Sequence, residues 1–375
     1  MSVPSSMPAA GGASLPSTTE LHGLGRCLVT GANGFIGRAL LRRLLDAGLP
    51  VVALCRSPPV STQSSALSCI QIELGHGQLR SEQLQGVDSV FHLAAHTHAL
   101  DEFDDEQRYM RTNVDGTREL LQAARAAGCA RLVLVSSVKA MGEHSPLRLD
   151  ETAPARPLTA YGRSKRFAEQ LLLESAGDEL ATSIVRLPLV YGPGVKGNLQ
   201  ALLDSLAKAR MPALPTLSNR RSMVHVDDVV QGLLLAALRS PPGEIYLLTD
   251  GHDYSSSEIE QLCRQALRAQ AGHTWRRSLL ARLALPGFSL RLLGWGGDLL
   301  GRIRGRRAPF DSARLAKLLE SASYDDRKAR ERLGYRPTHS LRSALPEMVQ
   351  ALAESGPASG SAAGSRVRDM PPRRA

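Results

Sequence analysis

A glycine-rich turn near the start of the chain limits the possible folds more than any other segment. The apolar stretch Cys27–Thr30 leads directly into T-G-A-N-G-F-I-G, where Gly31, Gly34 and Gly37 are evenly spaced. Gly31 can turn tightly, Gly34 lets the backbone approach a pyrophosphate, and Gly37 allows close helix packing. An ordinary strand-to-helix turn is the alternative, which this context disfavours. The residues expected to bind a dinucleotide are Gly31, Asn33, Gly34, Phe35, Ile36 and Gly37.

The rest of the chain repeats this alternation of strand-like and helix-like segments. Short apolar, β-branched runs alternate with stretches of helical spacing, as in Leu40, Leu41 and Leu44. Repeated units of this kind predict an α/β fold, a doubly wound parallel sheet of the Rossmann type covered by helices on both faces. The expected strands are Cys27–Thr30, Val51–Leu54, Cys69–Ile72, Ser89–Leu93, Arg131–Ser136, Ser183–Leu187 and Ile245–Leu248.

Changes in composition divide the chain into four parts. Segments rich in Ser, Pro, Ala and Gly at both ends cannot bury enough apolar surface to order themselves. The expected parts are a disordered extension at 1–22, a Rossmann-type domain at 23–190 and 223–250, a smaller, mostly helical C-terminal substrate lobe at 191–222 and 251–353, and a disordered basic tail at 354–375.

The bulk properties disfavour several partners. The net charge of +10 comes with only 4% aromatic residues, so the chain offers no stacking platform for nucleic acid. Attraction of anionic phosphates is the simpler use of this charge. Five cysteines without a C-x-x-C pair predict neither a disulfide framework nor a zinc site, and they favour a reducing, cytoplasmic location. No run of about eighteen apolar residues is present, so we expect no membrane-spanning helix.

The end of the second predicted strand bears on which dinucleotide is bound. Dinucleotide folds usually place Asp or Glu there to bind the ribose 2′-hydroxyl. This chain has Cys55 and Arg56 instead. Because a guanidinium can pair with a 2′-phosphate, Arg56 favours NADP over NAD. A solvated arginine at a strand end is the alternative.

Two residues of Y-G-R-S-K predict the chemistry. Moving a hydride to or from a secondary alcohol requires a proton transfer at the hydroxyl, and therefore a base of suitable pKa. Tyr161 and Lys165 are four residues apart and share one helix face. We expect the Lys165 ammonium and the positive nicotinamide ring to lower the pKa of Tyr161 from about 10 toward working pH.

A strand end earlier in the chain makes this pair specific. The run L-V-L-V-S-S-V delivers Ser136 and Ser137 to the carboxyl edge of the sheet, where ligands bind in such folds. The Ser137 hydroxyl can hold the reacting oxygen beside the phenolate, and capping of the strand end is the alternative role. We therefore expect Ser137, Tyr161 and Lys165 to be catalytic, with Ser137 also binding the substrate.

Six motifs occur in a familiar order: T-G-A-N-G-F-I-G, H-L-A-A, the S-S-V strand end, Y-G-R-S-K, V-R-L-P-L-V-Y-G-P-G and R-S-M-V-H-V-D-D. This order resembles the extended short-chain dehydrogenases/reductases of the NAD-dependent epimerase/dehydratase family, in particular the UDP-glucose 4-epimerase group. The resemblance covers roughly Arg26 to Ala237 and thins to a closing segment at Tyr324–Pro337. It implies an NAD- or NADP-dependent enzyme acting on a nucleotide-linked sugar, with UDP as the expected carrier. We also expect a homodimer.

The resemblance implies further site residues. Those implied for the cofactor are Glu73 at the adenine-contacting position with Leu74 beside it, Ala94 and Ala95 along the dinucleotide, Asn113 steadying the central helix, and Pro188 by the nicotinamide. The family more often has Asp at the Glu73 position. Asn198 and Arg221 would reach the substrate diphosphate, a role suited to a guanidinium fork.

The two residues after Ser137 bear on the reaction. Relatives that dehydrate sugars place Asp and Glu there, because eliminating water needs an acid and a base at neighbouring carbons. This chain has Val138 and Lys139, which disfavours dehydration. Epimerisation with tightly held NAD and one-way NAD(P)H-dependent reduction of a 4-keto sugar both remain open, in polysaccharide precursor synthesis. Met141, where many epimerases have Tyr, leaves the substrate contacts open.

Histidines near the fourth strand invite a metal interpretation, which we disfavour. These histidines are His92, His96 and His98. The nearby carboxylates lie in a loop, and the resemblance implies that this stretch lines the cofactor, so we expect no metal. We expect His225, Asp227 and Asp228 to fix a turn and cap the following helix.

Residues 275–307 raise an alternative of another class. Many leucines among arginines are typical of a membrane-surface segment. A helical lobe packed on the substrate site is favoured, because Pro286 and several glycines interrupt any single long helix. Weak membrane contact would place the protein at the inner face of the membrane, acting on a lipid-linked sugar. A binding protein without activity is the last alternative, which the complete catalytic trio disfavours.

Overall fold

Two sheets are present in the computed structural model, which describes residues 16–58, 64–97, 106–177, 179–208, 211, 213–271 and 319–354. The strands are β1 (Cys27–Thr30), β2 (Val51–Cys55), β3 (Leu67–Gln71), β4 (Ser89–His92), β5 (Arg131–Ser137), β6 (Ala181–Leu187), β7 (Leu189–Tyr191), β8 (Arg221–His225), β9 (Glu244–Leu247) and β10 (Asp253–Tyr254). The large sheet is parallel, in the order β3-β2-β1-β4-β5-β6-β9. The strand order reverses between β1 and β4, where open α/β sheets bind ligands at the carboxyl edge.

Helices connect these strands. They are α1 (Thr18–His22), α2 (Phe35–Asp46), α3 (Glu106–Tyr109), α4 (Gly116–Ala126), α5 (Ala160–Glu174), α6 (Asn198–Ala207), α7 (Val226–Arg239), α8 (Ser256–Ala271), α9 (Arg327–Leu333) and α10 (Leu341–Glu354). A π-helical turn at Met110–Asp115 joins α3 to α4, and short 3-10 turns lie at Ser81–Leu84 and Val138–Ala140.

Alternate strand residues supply two apolar cores, one on each face of the large sheet. In β1, Val29 belongs to the core under α2 and α7, and Leu28 belongs to the core under α4 and α5. Both side chains are fully buried. The predicted doubly wound fold is therefore confirmed, and the seven predicted strands are present with ends displaced by at most two residues.

A third apolar core belongs to a smaller lobe. It joins Tyr191, Leu203, Tyr254, Leu262 and Met348 from β7, α6, β10, α8 and α10. Strand β8 pairs with β7 in parallel and with β10 in antiparallel orientation, whereas α7 and β9 return the chain to the large sheet. Residues 221–225 thus lie in the small sheet, at its junction with the dinucleotide-binding fold.

The predicted disordered extension is wrong at its end, because residues 18–22 form helix α1. The Ser17 and Glu20 side chains each accept a hydrogen bond from the other's backbone N–H, a reciprocal cap that the sequence S-T-T-E signals. Leu21 is fully buried, which stabilises the fold by about 2 kcal/mol. The Arg239 Nη2 atom lies 2.7 Å from Glu20 Oε1 and ties α1 to α7.

Some predictions lie outside the described residues: the extension at 1–15, His98, the possible membrane segment at 275–307 and the basic tail from 355 onward. Among the helices that are described, none combines the length and the apolar character needed to cross a membrane.

Candidate active site

The glycine-rich turn lies against the end of β4. Gly31 has a φ of +67°, a left-handed conformation that costs other residues about 1–2 kcal/mol. A Cβ at Gly31 would lie 2.8 Å from the Ala94 nitrogen, and a Cβ at Gly37 would overlap the Gly31 carbonyl oxygen. Neither glycine can be replaced without moving backbone. The turn and the end of β4 therefore meet at the point where the strand order reverses.

Helix α2 begins at this turn in a form suited to a diphosphate. Its N-cap, Gly34, brings no side chain to the first-turn N–H groups. Phe35 and Ile36 pack their side chains into apolar cores, so they can offer a phosphate only their backbone N–H. Asn33 Nδ2 donates to the Ser57 carbonyl oxygen at 2.6 Å, which fixes the turn to the segment after β2.

A buried hydrogen-bond chain holds the ends of β1 and β4 together. Thr30 Oγ1 accepts from the Ala94 N–H at 3.0 Å and lies 2.8 Å from His92 Nδ1. His92 Nε2 lies 2.9 Å from Thr117 Oγ1, which itself donates to the Asn113 carbonyl oxygen. Burial lowers the pKa of His92 to about 3, so the neutral ring accepts from Thr30 and donates to Thr117. Neither threonine was a predicted site residue. In the sequence, a threonine that is buried on a strand or packed beside one looks like any other core residue.

Asn113 fastens the loop after β4 to helix α5. Its Oδ1 accepts from the His96 N–H at 2.7 Å, and its Nδ2 donates to the His96 carbonyl oxygen at 3.1 Å and to Ser164 Oγ at 2.9 Å. The residue lies in the π-helical turn at Met110–Asp115, a distortion frequent at functional sites. Asn113 thereby steadies the loop that contains Ala95, whose contact with a cofactor stays a prediction.

Ser137, Tyr161 and Lys165 come together where β5 meets α5. Ser137 ends β5 and Tyr161 is the second residue of α5, close enough for the Ser137 hydroxyl to lower the pKa of the phenol. Lys165 is buried one helical turn farther on, where its Nζ donates to the Val135 carbonyl oxygen at 2.7 Å. Thr159 caps the start of α5 by accepting from the Gly162 N–H, so the helix presents Tyr161 in its first turn.

The electrostatics of this trio differ from the expectation. Burial raises the pKa of Tyr161 to about 12; the Ser137 hydroxyl opposes this shift, and Tyr109 and the Glu143 carboxylate add to it. Burial lowers the pKa of Lys165 to about 8, against the raising effect of the Glu169 carboxylate. In the protein alone the pKa of Tyr161 is thus raised where a lowering was expected, because burial has the largest effect. The lowering expected from the positive nicotinamide ring stays a prediction.

The residues predicted for the adenosine end lie beside β2 and β3. Arg56 Nη1 and Glu73 Oε1 are 3.7 Å apart, and the side chains are 79% and 52% exposed, so their attraction is weak. Their contacts with a ribose and an adenine stay predictions. The Leu74 side chain is instead buried in an apolar core beside Gly116, so only its backbone is free to face a cofactor.

The residues predicted for the substrate lie at the start of β8 and α6. The Arg221 Nε is buried and has no hydrogen-bond partner among the described residues. Burial lowers the pKa of Arg221, while the Glu320 carboxylate opposes that shift. A buried guanidinium N–H without an acceptor is unfavourable, and an anion would satisfy it. Asn198 is the exposed first residue of α6, and Pro188 lies partly buried between β6 and β7.

One further cluster joins β8 and α7 to the chain before α10. His225, Asp227 and His339 are the described residues whose ligand atoms approach closely enough for a metal ion. The Asp227 N–H donates to His225 Nδ1, which caps α7 as predicted. Asp228 does not cap the helix; it accepts from the Thr338 and His339 N–H groups. The imidazoles of His225 and His339 are stacked 4.1 Å apart, so their in-plane lone pairs do not converge, and the cluster acts as a structural tie.

Comparison with protein families identifies the chain. Residues 27–248 match the sequence profile of the NAD dependent epimerase/dehydratase family. The chain belongs to this family. The expected resemblance is thus confirmed, and a nicotinamide dinucleotide is the cofactor of this epimerase/dehydratase-family enzyme.

Relatives of the enzyme act on different compounds. A 4-hydroxy-2-methyl-3-oxo-4-farnesyl-3,4-dihydroquinoline-1-oxide ketoreductase of Stigmatella aurantiaca is 33% identical over 344 residues, covering 89% of this chain and 97% of that protein. A UDP-glucose 4-epimerase of Vibrio cholerae is 27% identical over 341 residues, covering 88% and 95%. Among solved structures, MoeE5 in complex with UDP-glucuronic acid and NAD is 28% identical with a TM-score of 0.67, covering 88% of this chain and all of that one.

Proposed function

We propose that this enzyme transfers hydride between NAD(P) and a ring secondary alcohol of a UDP-linked sugar, as an epimerase of the UDP-glucose 4-epimerase type. The approach of Tyr161 at the start of α5 to Ser137 at the end of β5, with Lys165 one helical turn on, carries the proposal. These side chains lie at the same carboxyl edge of the sheet as the glycine-rich turn. Hydride transfer at an alcohol carbon requires a proton to move at its oxygen, and this trio can move it.

Each member of the trio has a distinct task. Bound nicotinamide dinucleotide accepts or supplies the hydride. Tyr161 Oη takes the proton of the sugar hydroxyl, and Ser137 Oγ holds that oxygen in place. Lys165 stabilises the negative charge that develops on the phenol. Because burial raises the pKa of Tyr161 to about 12, the phenol depends on nearby positive charge to act as a base near neutral pH.

A diphosphate-linked substrate is supported by Arg221. Its buried Nε, which has no partner in the part of the chain that the structure describes, offers a charge-assisted hydrogen bond that a phosphate oxygen would accept. Asn198 at the start of α6 is the second proposed contact. Two of the similar proteins, the Vibrio cholerae epimerase and MoeE5, act on or bind a UDP-sugar.

The residues after Ser137 favour epimerisation or reduction over dehydration. Val138 is buried in an apolar cluster, and Lys139 Nζ pairs with Glu143 Oε2 at 3.2 Å. Eliminating water requires an acid and a base at neighbouring carbons, which these two side chains do not supply. We propose a role in polysaccharide precursor synthesis, with one-way reduction of a UDP-4-keto sugar as the variant that an exchangeable NADPH at Arg56 would favour.

One-way reduction of an apolar ketone is the second candidate. The Stigmatella aurantiaca relative is a ketoreductase whose substrate carries a farnesyl group. Met141 is 3% exposed and belongs to an apolar cluster with Val138 and Tyr324, close in the chain to Ser137. An apolar wall beside the reacting centre suits an apolar substrate better than a sugar ring.

Cofactor release and a substrate panel separate the candidates. Nucleotide released from the denatured protein is identified by mass spectrometry, and the intact enzyme is incubated with UDP-glucose, UDP-galactose and UDP-glucuronic acid. Parallel reactions contain NADPH and cyclic ketones with and without an isoprenoid chain. Bound NAD with an inverted sugar supports the epimerase, whereas NADPH oxidation by an apolar ketone alone supports the second candidate. An NAD-binding protein that turns over neither class would contradict both.

Two proposals about assembly come from the sequence. A homodimer predicts twice the chain mass in sedimentation equilibrium, and a monomer at all concentrations would contradict it. Weak membrane contact by residues 275–307 predicts co-sedimentation with anionic liposomes that is lost when Arg302, Arg304, Arg306 and Arg307 are replaced by Ser.

A further inference from the structure

A buried ion pair lies behind the catalytic trio. Glu169 on α5 is fully buried and Arg186 on β6 is 2% exposed. Arg186 Nε donates to Glu169 Oε1 at 2.9 Å, and Arg186 Nη2 donates to Glu169 Oε2 at 2.8 Å. This bidentate geometry gives a strong and directional contact. The pair thus joins the catalytic helix to the strand beside β5.

The same carboxylate holds the end of β5. Ser136 Oγ donates to Glu169 Oε1 at 2.6 Å, and Ser136 is paired in register with Arg186. Ser136 lies between Ser137 and Val135, whose carbonyl oxygen accepts from the Lys165 Nζ. One carboxylate therefore fixes the short backbone segment on which both Ser137 and Lys165 depend for their positions.

Packing alone does not explain the pair. Two buried charges lose hydration, and apolar residues of similar size often stabilise a core as well or better. Arg186 Nη1 is moreover buried without a hydrogen-bond partner among the described residues, so the guanidinium is incompletely satisfied. Because burying these charges is unfavourable, we expect the ion pair to have a role in the site besides holding the core together.

The surroundings of Lys165 show how the Glu169 carboxylate can act on the site. Tyr161 and Glu169 lie one turn before and one turn after Lys165 on α5, and His92 faces it from β4. Two cations contact the Glu169 carboxylate, the buried Arg186 on β6 and the partly exposed Arg166 on α5. His92 is neutral at working pH, because burial lowers its pKa to about 3. Burial also lowers the pKa of Lys165 to about 8, and Glu169 is the carboxylate that opposes this shift.

We propose that Glu169, held by Arg186, is a positioning residue of the active site, which anchors the end of β5 to α5 and keeps the Lys165 ammonium charged. This inference rests on the proposed role of Lys165 in hydride transfer. Glu169 touches neither substrate nor cofactor in this account. It acts through Lys165, Ser136 and the backbone that carries Ser137.

Titration of Lys165 tests the proposal without any substrate. The chain contains six lysines, so carbon-13 labelling at lysine Cε gives few NMR signals, and Lys165→Arg assigns the one of interest. In Glu169→Gln we expect the Lys165 midpoint to fall by at least about one pH unit. The matched control, Glu174→Gln on the same helix, should leave it in place. An unchanged Lys165 midpoint in Glu169→Gln would overturn the proposal, whether or not the enzyme is active.

A double variant separates a charge effect from a folding effect. Glu169→Gln/Arg186→Met removes both charges, so it should recover most of the stability that Glu169→Gln loses. We expect its Lys165 midpoint to stay below that of the wild type, and the alkaline limb of kcat to stay at lower pH. Recovery of the wild-type midpoint and pH profile together with stability would show that Glu169 is merely structural. If the wild type turns over no substrate, the NMR titration still decides the inference, while the proposed function fails by itself.

Discussion

The two halves of the sheet's carboxyl edge present different chemical groups, backbone N–H groups around β1 and side chains around β5. Around β1, the turn from Gly31 to Gly37 offers backbone N–H groups and allows no added side chain. Around β5, the site consists of buried and partly buried side chains whose pKa values depend on neighbouring carboxylates, Glu143 for Tyr161 and Glu169 for Lys165. The first half should therefore be sensitive to shape and the second to charge. His92 connects the two halves as a neutral ring.

The largest effect should come from removing the proposed base. Tyr161→Phe keeps the ring but loses the hydroxyl, so kcat should fall about 10³-fold while cofactor affinity remains nearly unchanged. Steady-state kinetics and cofactor titration measure the two quantities. Tyr246→Phe is the control, since it removes a buried hydroxyl from β9. Equal losses in both variants, or turnover that survives in Tyr161→Phe, would show that the base is wrongly assigned.

A methyl group at the turn tests the sensitivity to shape. Gly31→Ala and Gly128→Ala both place Ala at positive φ, at +67° and +73°, but only the first meets backbone, at Ala94. Both variants should lose about 1–2 kcal/mol of stability from backbone strain. Gly31→Ala should lose about 1–3 kcal/mol more, and cofactor affinity with it. The free energy of unfolding and the cofactor dissociation constant are measured for both; equal values would contradict the close approach.

Acid should destabilise the protein through His92. Its folded-state pKa of about 3 lies below the ordinary 6.5, so the unfolded state binds the proton more readily. Stability from this group is complete above the ordinary value and is lost as pH falls through the interval between the two. Between pH 7 and pH 5 the loss should be about 2 kcal/mol.

The measurement for His92 is denaturant unfolding at both pH values. His92→Gln should be less stable than the wild type at pH 7, and its decrease between pH 7 and pH 5 should be smaller by about that amount. If both proteins lose the same free energy on acidification, the ring is not held neutral as described.

Replacing Glu143 should have a smaller effect on the catalytic side, and it should change the pKa of Tyr161 in a definite direction. The Glu143 carboxylate raises the pKa of Tyr161, so Glu143→Gln should lower it and move the rising limb of alcohol oxidation to lower pH by a fraction of a unit. The amide oxygen of Gln can still accept from Thr159 Oγ1, which preserves the start of α5. Glu174→Gln should not move the limb. A shift to higher pH in Glu143→Gln would contradict the charge argument.

Features that follow from local sequence patterns could be predicted, and features that depend on long-range packing could not. The turn, the strands and the trio follow from local patterns, such as the glycine spacing and the four-residue interval between Tyr161 and Lys165. The tie from Thr30 through His92 to Thr117 joins residues far apart in the chain and leaves no local pattern. The raised pKa of Tyr161 arises from burial, which the spacing of side chains does not reveal.

Two other differences between the sequence predictions and the structure have similar causes. Helix α1 was predicted to be disordered because composition outweighed the short S-T-T-E cap, although Leu21 is fully buried. The pairing of Glu169 with Arg186 depends on how α5 packs on β6, so neither residue stood out in the sequence. Long-range packing therefore decides the electrostatics of this site, whereas local sequence decides its location.

A crystal structure of the enzyme with NAD bound would test the central claim most directly. We expect the diphosphate to contact the first turn of α2 and the nicotinamide C4 atom to face the Tyr161 hydroxyl beside Ser137. A Tyr161 ring directed away from the nicotinamide, or a dinucleotide bound away from Gly31 and Gly34, would contradict it.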